Sequence, residues 1–124
     1  MAAQDSINGI QFRFEKGNPR SPIGKEQRHR VVAENEFSDY VGELEWYPRG
    51  SRAISNIFVE GNYRRGGIAT GMWNYAHEIA KTTRGVQPPK HSADRTNDGE
   101  AWARSVSKRL PQRRLGSGHT WEQE

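Results

Sequence analysis

The amino-acid sequence predicts an α+β fold, in which a mixed, mostly antiparallel sheet is packed by two helices. Residues 10–15 and 40–47 alternate apolar and polar side chains with the period of two that half-buried strands show. Between residues 68 and 80, apolar side chains recur at the spacing of one helix face. A second helical pattern begins at Asn97, because Glu100 follows three residues later as in a capping box.

The first half of the chain is predicted to form strands separated by turns. Residues 16–25 contain two glycines and two prolines without periodicity, which indicates a loop. Residues 29–36 and 40–47 are joined by a short polar stretch, so they predict an antiparallel hairpin. Strict alternation in the second of these strands places Tyr40 on the same face as Leu44 and Trp46.

The next strand is predicted over residues 53–60. Its apolar run at 57–59 lacks alternation, which favours a central strand covered on both faces. Residues 90–93 could add a short further strand, although their side chains are poor strand formers. We expect one domain over residues 1–110 and a basic tail over residues 111–124.

Composition excludes several classes of protein. The chain has 124 residues and no cysteine, so it has no disulfide framework, no thiolate nucleophile and no cysteine zinc site. No apolar run approaches the roughly 20 residues that span a bilayer, and the N-terminus shows no secretory signal. The four histidines have no metal-ligand spacing, so we expect no metal. These features favour a cytoplasmic protein that does not bind a membrane.

Charge is unevenly distributed along the chain. The net charge is +4, with −1 over residues 1–60 and +5 over residues 61–124. The excess of arginine suggests an anionic partner, either a phosphorylated cofactor or a nucleic acid, and the alternative is a solvated basic surface. Basic pairs at 108–109 and 113–114 could bind nucleic acid phosphates, but no nucleic-acid-binding motif accompanies them.

The segment that indicates chemistry spans residues 59–72. Here a strand ends, the chain crosses three glycines, and a helix begins near Gly67. Unpaired amides at a helix N-terminus bind phosphate oxygens, and glycine lets the backbone approach them closely. Arg64 and Arg65 add positive charge and forked donors beside this corner. The alternative is an ordinary strand–turn–helix corner with incidental arginines.

This segment resembles a known family. Residues 64–69, RRGGIA, fit the R-x-x-G-x-G/A signature of the GNAT superfamily of acyl-CoA-dependent N-acyltransferases. The preceding strand ends in I-x-V, and residues 41–44 resemble the family's "v-G-x-l" third strand. The resemblance covers about residues 29–83. In its short length and its HSADRT and GEAW stretches, the chain is also similar to small GNAT-like proteins of bacteriophages of actinobacteria, which would place it in a host cytoplasm.

The resemblance implies a minimal GNAT fold that uses acetyl-CoA. Amides from Arg65 through Thr70 would cradle the pyrophosphate, and Arg64 or Arg65 would reach a phosphate. The backbone of the preceding strand would pair with the pantetheine arm, with the Val59 amide polarising the thioester carbonyl. The cofactor-binding residues that the resemblance implies are Ile57, Phe58, Val59, Arg64, Arg65, Gly66, Gly67, Ile68, Ala69 and Thr70.

The implied reaction is direct attack of a primary amine on the thioester, which needs a base. Glu43 is the first candidate and Glu60 the second, because both lie near the predicted centre of the sheet. Each could equally be an ordinary surface carboxylate. The acceptor would be an amine-bearing small molecule or macromolecule, and the sequence does not say which.

The acid that would protonate the leaving thiolate is where the chain departs from the family pattern. Many members have a tyrosine on the last helix, seven residues after its start. Here that position is Ala103 or Arg104, and neither can serve. Ser105 and His91 are the nearest candidates. A catalytically silent CoA-binding module therefore stays open as an alternative to an acetyltransferase, as does a basic nucleic-acid-binding module.

Overall fold

A computed structural model describes residues 6–7, 9–18, 27–64, 66–107 and 110–111. Its strands and helices, in chain order, are β1 (Ser6–Ile7), β2 (Ile10–Glu15), β3 (His29–Glu34), β4 (Tyr40–Trp46), β5 (Ile54–Val59), α1 (Ile68–Thr82) and α2 (Asn97–Val106). One 3₁₀ turn, Gly61–Tyr63, lies between β5 and α1. The chain divides into two compact units, of which the first ends at Lys90 and the second begins at His91.

The first unit is built on an antiparallel sheet with the strand order β1-β2-β3-β4-β5. The predicted hairpin is confirmed, because β3 and β4 pair in antiparallel register with Val31 opposite Leu44. The parallel component expected of a mixed sheet is reduced, among the described residues, to one bridge between Ala53 and Lys90. The further strand expected over residues 90–93 is therefore no more than this bridge.

Helix α1 packs its apolar stripe against one face of the sheet, called here the helix face. The predicted periodicity is confirmed, since Ile68, Met72 and Ala76 are the buried residues of α1. Trp46 lies fully buried in the same core. The core cluster consists of Ile10, Phe12, Val31, Ala33, Val41, Leu44, Trp46, Ile68, Met72, Ala76 and Val86.

An irregularity of the ladder decides on which face of the sheet the first side chains of β4 lie. On β4, Gly42 pairs with Ala33 and Tyr40 pairs with Glu34, so Val41 is an extra residue. A bulge of this kind shifts the alternation by one position. Val41 therefore joins the core, and the predicted placement of Tyr40 beside Leu44 and Trp46 is wrong.

Strand β5 lies at the edge of the sheet, and the prediction of a central strand is wrong. Phe58 in the middle of its apolar run is 38% exposed. Beyond Ile54, whose amide donates to the Lys90 carbonyl oxygen at 2.8 Å, no strand among the described residues pairs with the outer edge of β5. Apart from that bond, β5 is paired on one side only among the described residues.

The second unit contains α2 and the segment that precedes it. The N-cap is Thr96, whose hydroxyl accepts from the Gly99 amide at 2.9 Å, rather than Asn97 as the sequence predicts. Glu100 binds Arg95 and Arg104 instead of capping the helix. No helix in the described ranges is long and apolar enough to cross a membrane. Apart from Pro111, the predicted basic tail lies outside the described residues.

Candidate active site

The N-terminus of α1 has the backbone geometry that the glycine motif requires. Gly67 is the N-cap residue and has a φ of 81°, a left-handed conformation that side chains with a Cβ rarely adopt. The first helical hydrogen bond runs from the Gly71 amide to the Gly67 carbonyl oxygen at 2.8 Å. The amides of Ile68 and Ala69 come before this bond, so they have no acceptor within the helix and can bind an anion.

Two glycines of the same loop have room for a Cβ among the described residues. A Cβ placed on Gly61 would meet nothing within 4 Å, and one on Gly66 would meet the Tyr63 carbonyl oxygen at an ordinary 3.5 Å. Gly61 does not have a positive φ. The backbone and the packing of the described residues therefore do not require glycine at position 61, which fits a loop whose backbone is approached by a ligand.

Side chains hold this loop against the sheet. Arg64 donates from Nε to the Val59 carbonyl oxygen at 2.9 Å, which fixes the arginine at the end of β5. The Tyr63 hydroxyl accepts from Asn35 Nδ2 at 3.3 Å, so the loop is also tied to the turn between β3 and β4. Arg64 is exposed, and its terminal guanidinium nitrogens can still reach an anion. Arg65, the second predicted arginine, lies outside the described residues.

The outer edge of β5 exposes alternate amides. The Glu60 amide donates to the Val41 carbonyl oxygen at 2.8 Å, so it points towards β4. The backbone amide and carbonyl groups of Phe58 also point towards β4, because the carbonyl oxygen lies 2.6 Å from where a Cβ on Gly42 would stand. By strand alternation, the amides of Ile57 and Val59 point to the unpaired edge. Of the three predicted pantetheine-binding residues, Ile57 and Val59 thus present their backbone there and Phe58 does not.

Glu43 lies on the sheet face away from α1, where it is only 3% exposed. Its carboxylate accepts from the Tyr40 hydroxyl at 3.0 Å, from Asn56 Nδ2 at 2.8 Å and from Arg30 Nη1 at 3.4 Å. Burial, together with the hydrogen bond to Glu43, raises the pKa of Tyr40, so its hydroxyl stays a donor. No pattern in the sequence indicates that Tyr40 or Asn56 is a partner of Glu43.

The second candidate base has different surroundings. Glu60 follows β5 directly, is exposed, and is next in sequence to Val59, whose amide points to the unpaired edge. Phe58 precedes Val59 in the chain. Its ring stacks on the ring of Tyr40, with the centroids 6.3 Å apart and an interplanar angle of 12°. Glu60, Phe58 and Tyr40 therefore lie around the end of β5 at which the loop begins.

The second unit contains a serine–histidine pair that sequence reasoning missed. His91 Nε2 lies 2.8 Å from Ser107 Oγ, and the His91 ring meets Trp102 edge-on. The Ser105 hydroxyl donates to the Trp102 carbonyl oxygen within α2, and Ser105 is exposed. The spacing of 16 residues between His91 and Ser107 carries no sequence signal that would have identified the pair.

The geometry around β5 and α1 defines a class of fold, and comparison with known proteins agrees with it. The chain has the α+β fold of GNAT acetyltransferases. It is similar to the crystal structure of a candidate acetyltransferase from Deinococcus radiodurans R1, with a TM-score of 0.53, 15% identity and 93% of each chain covered. It is also similar to the aminoglycoside acetyltransferase HMB0005 from an uncultured soil metagenomic sample, with a TM-score of 0.50 and 23% identity over 74% of this chain and 63% of that one.

Sequence comparison adds no further relative. No protein-family model matches the chain, and no curated protein sequence matches it. At these identities the structural likeness establishes the fold. The likeness to bacteriophage proteins stays a prediction.

Proposed function

We propose that this protein is an acetyl-CoA-dependent N-acetyltransferase that transfers an acetyl group to a primary amine. The observation that carries the proposal is the junction between β5 and α1. An unpaired strand edge and a glycine-capped helix N-terminus meet there, and Arg64, which lies between them in the chain, is bonded to the end of the strand. The fold shared with the candidate acetyltransferase and with the aminoglycoside acetyltransferase supports the same interpretation.

The residues at this junction fit the parts of acetyl-CoA. The amides of Ile68 and Ala69, with Arg64, suit the negatively charged pyrophosphate. The open space above Gly61 lets such a group approach the backbone. The amide and carbonyl groups of the pantetheine arm can hydrogen-bond to an unpaired strand edge as a further strand would.

The chemistry needs a base at the end of β5. Acetyl-CoA supplies a thioester carbonyl; the amine nitrogen forms a bond to this carbon, the carbon–sulfur bond breaks, and the thiolate leaves. The Val59 amide is a donor that could stabilise the developing oxyanion. We assign the base to Glu60 ahead of Glu43, because Glu60 is exposed, whereas Glu43 is buried and already accepts three hydrogen bonds. Glu43 could take a proton through the Tyr40 hydroxyl, to which it is hydrogen-bonded.

Thermal unfolding in the presence of candidate ligands tests the cofactor assignment. Acetyl-CoA and CoA should each raise the melting temperature, because a ligand that binds only the folded state stabilises it by about 2.7 kcal/mol at a hundredfold excess over Kd. A shift with an oligonucleotide alone would favour the nucleic-acid-binding alternative. No shift with either CoA species at millimolar concentration would rule out the proposed function.

Release of free CoA in the presence of a primary amine tests the catalytic assignment. Glu60→Gln should lower kcat by about a hundredfold or more, the usual contribution of a general base, with the thermal shift by acetyl-CoA unchanged. Glu43→Gln keeps the shape of the side chain and serves as the matched comparison. A larger loss of kcat in Glu43→Gln than in Glu60→Gln would transfer the role to the buried carboxylate and Tyr40. Equal rates in both variants and the unchanged protein would contradict either assignment.

A further inference from the structure

Aromatic side chains are exposed together near the turn between β3 and β4. Of the large hydrophobic side chains that are exposed in the described ranges, three belong here: Phe37 at 75%, Tyr40 at 45% and Phe58 at 38%. The Tyr40 and Phe58 rings are stacked, and the Tyr40 hydroxyl is fixed by Glu43. Two exposed rings held in one orientation form a preformed surface, which is typical of a binding site. We call this pair, with Phe37, the aromatic surface.

The same part of the chain is strongly acidic within a basic protein. Residues 34–45 contain five acidic residues and no lysine or arginine, although the whole chain carries +4. Glu36 and Asp39 are exposed beside the rings, and Glu60 is exposed next to Phe58 in the chain. Three of the five acidic residues are paired with arginine: Glu34 with Arg13, Glu43 with Arg30 and Glu45 with Arg28. The negative charge that a ligand would meet at this end of the sheet therefore comes from the exposed carboxylates of Glu36, Asp39 and Glu60.

We propose that the aromatic surface binds the acetyl acceptor, and that this acceptor is a lysine side chain within a basic segment of a polypeptide. The inference rests on the proposed acetyltransferase function. An ammonium group is attracted to the face of an aromatic ring and to carboxylates, and a lysine stem packs against rings through its methylene groups. Neutral or anionic acceptors would gain nothing from the carboxylates.

The extent of the surface selects a polypeptide over a small amine. The rings and carboxylates run from Glu36 and Phe37, in the turn after β3, to Phe58 and Glu60 at the end of β5. Phe37 is the most exposed of these rings, so it is presented outwards rather than enclosed. A free monoamine would contact one ring and one carboxylate, whereas a basic segment can place further cationic side chains along the acidic turn.

Acetylation of defined acceptors tests the inference. The purified protein is given acetyl-CoA with an N-terminally blocked lysine- and arginine-rich peptide, with the same peptide in which glutamate replaces arginine, or with spermidine. Mass spectrometry measures the acetyl group on each acceptor. The basic peptide should be acetylated with the lowest KM, and this KM should rise with salt. Preference for spermidine, or equal use of both peptides, would overturn the inference.

Variants of the surface separate acceptor binding from cofactor binding. Phe58→Ala should raise the KM for the basic peptide by about twofold to fivefold, and Glu36→Gln with Asp39→Asn by about threefold to tenfold, the range for exposed cation–π and charge pairs. Tyr47→Ala is the matched control, because Tyr47 is an exposed aromatic residue just past the other end of β4. An unchanged KM in both surface variants would refute the inference.

Thermal unfolding distinguishes a failure of the proposed acetyltransferase function from a failure of the proposed polypeptide acceptor. Acetyl-CoA should stabilise the surface variants as much as the unchanged protein, because none of these changes touches the α1 N-terminus. If acetyl-CoA stabilises none of the proteins, the proposed function fails. If it stabilises all of them while only small amines are acetylated, the function stands and the polypeptide acceptor is wrong.

Discussion

Replacing Gly67 by alanine tests whether the start of α1 needs glycine only for its left-handed backbone or also for binding of the pyrophosphate. The residue has a φ of 81°, and an alanine in the left-handed region costs about 1–2 kcal/mol. Gly50, in the turn between β4 and β5, has a φ of 67°, and a Cβ placed on it would meet nothing within 4 Å. Gly67→Ala and Gly50→Ala should therefore lose similar stability, which corresponds to roughly 4 °C or more in melting temperature per kcal/mol for a domain of this size.

The two variants should differ only when acetyl-CoA is added. At a hundredfold excess over Kd the ligand contributes about 2.7 kcal/mol, which exceeds the strain in either variant. Differential scanning fluorimetry should show this gain in Gly50→Ala and a much smaller one in Gly67→Ala, because the new methyl group lies where the pyrophosphate would approach the amides of Ile68 and Ala69. Equal gains in both variants would show that the anion does not bind at this helix N-terminus.

Three further predictions concern stability. Gly42→Ala should destabilise the first unit by about 1–3 kcal/mol in urea unfolding, because its Cβ would stand 2.6 Å from the Phe58 carbonyl oxygen; an unchanged midpoint would mean that β4 and β5 separate easily. Burial, and then the charge of Lys16, lower the pKa of His29 below its ordinary value of 6.5. As the pH falls below 6.5, His29 therefore binds a proton more readily in the unfolded chain than in the folded chain, and the free energy of unfolding should decrease. His29→Gln should reduce this pH dependence of stability between about pH 7.5 and 5.5. Thr96→Ala removes the cap of α2 and should cost about 0.5–2 kcal/mol, seen as lower helicity by circular dichroism, while Asn97→Ala should cost less.

The sequence predicts those parts of the molecule that depend on periodicity and on a local motif. Helix α1 and its glycine-rich entry follow from an apolar stripe and from the conformational need at Gly67, both of which are local. The cap of α2 is displaced by one residue because Thr96 and Asn97 are both good N-caps, and only the backbone angles decide between them. The contact between His91 and Ser107 could not be predicted, because it depends on where α2 ends.

The larger errors concern β4 and β5, and they have different causes. Alternation assigns each side chain to a face only while the ladder is regular. Val41 interrupts it on β4, and Tyr40 moves to the face of Glu43 and Phe58 as a result. An apolar run such as 57–59 indicates that apolar groups contact the strand, but it does not distinguish neighbouring strands from a ligand.

A second bulge determines which amides β5 offers to a ligand. Ile54 directs its amide to Lys90 on the outer edge, so an unbroken strand would direct the amides of Asn56 and Phe58 outwards as well. Trp46 pairs with Ile54 and Glu45 with Asn56, which leaves Ser55 as the extra residue. The amides of Ile57 and Val59 are therefore directed to the outer edge instead.

Amide hydrogen exchange measured by NMR checks this arrangement. The Phe58 amide should exchange slowly in the free protein, and the Val59 amide should exchange fast and become protected when acetyl-CoA is added. Slow exchange at Val59 and fast exchange at Phe58 would mean that the bulge does not form, and the oxyanion donor would then have to be sought elsewhere.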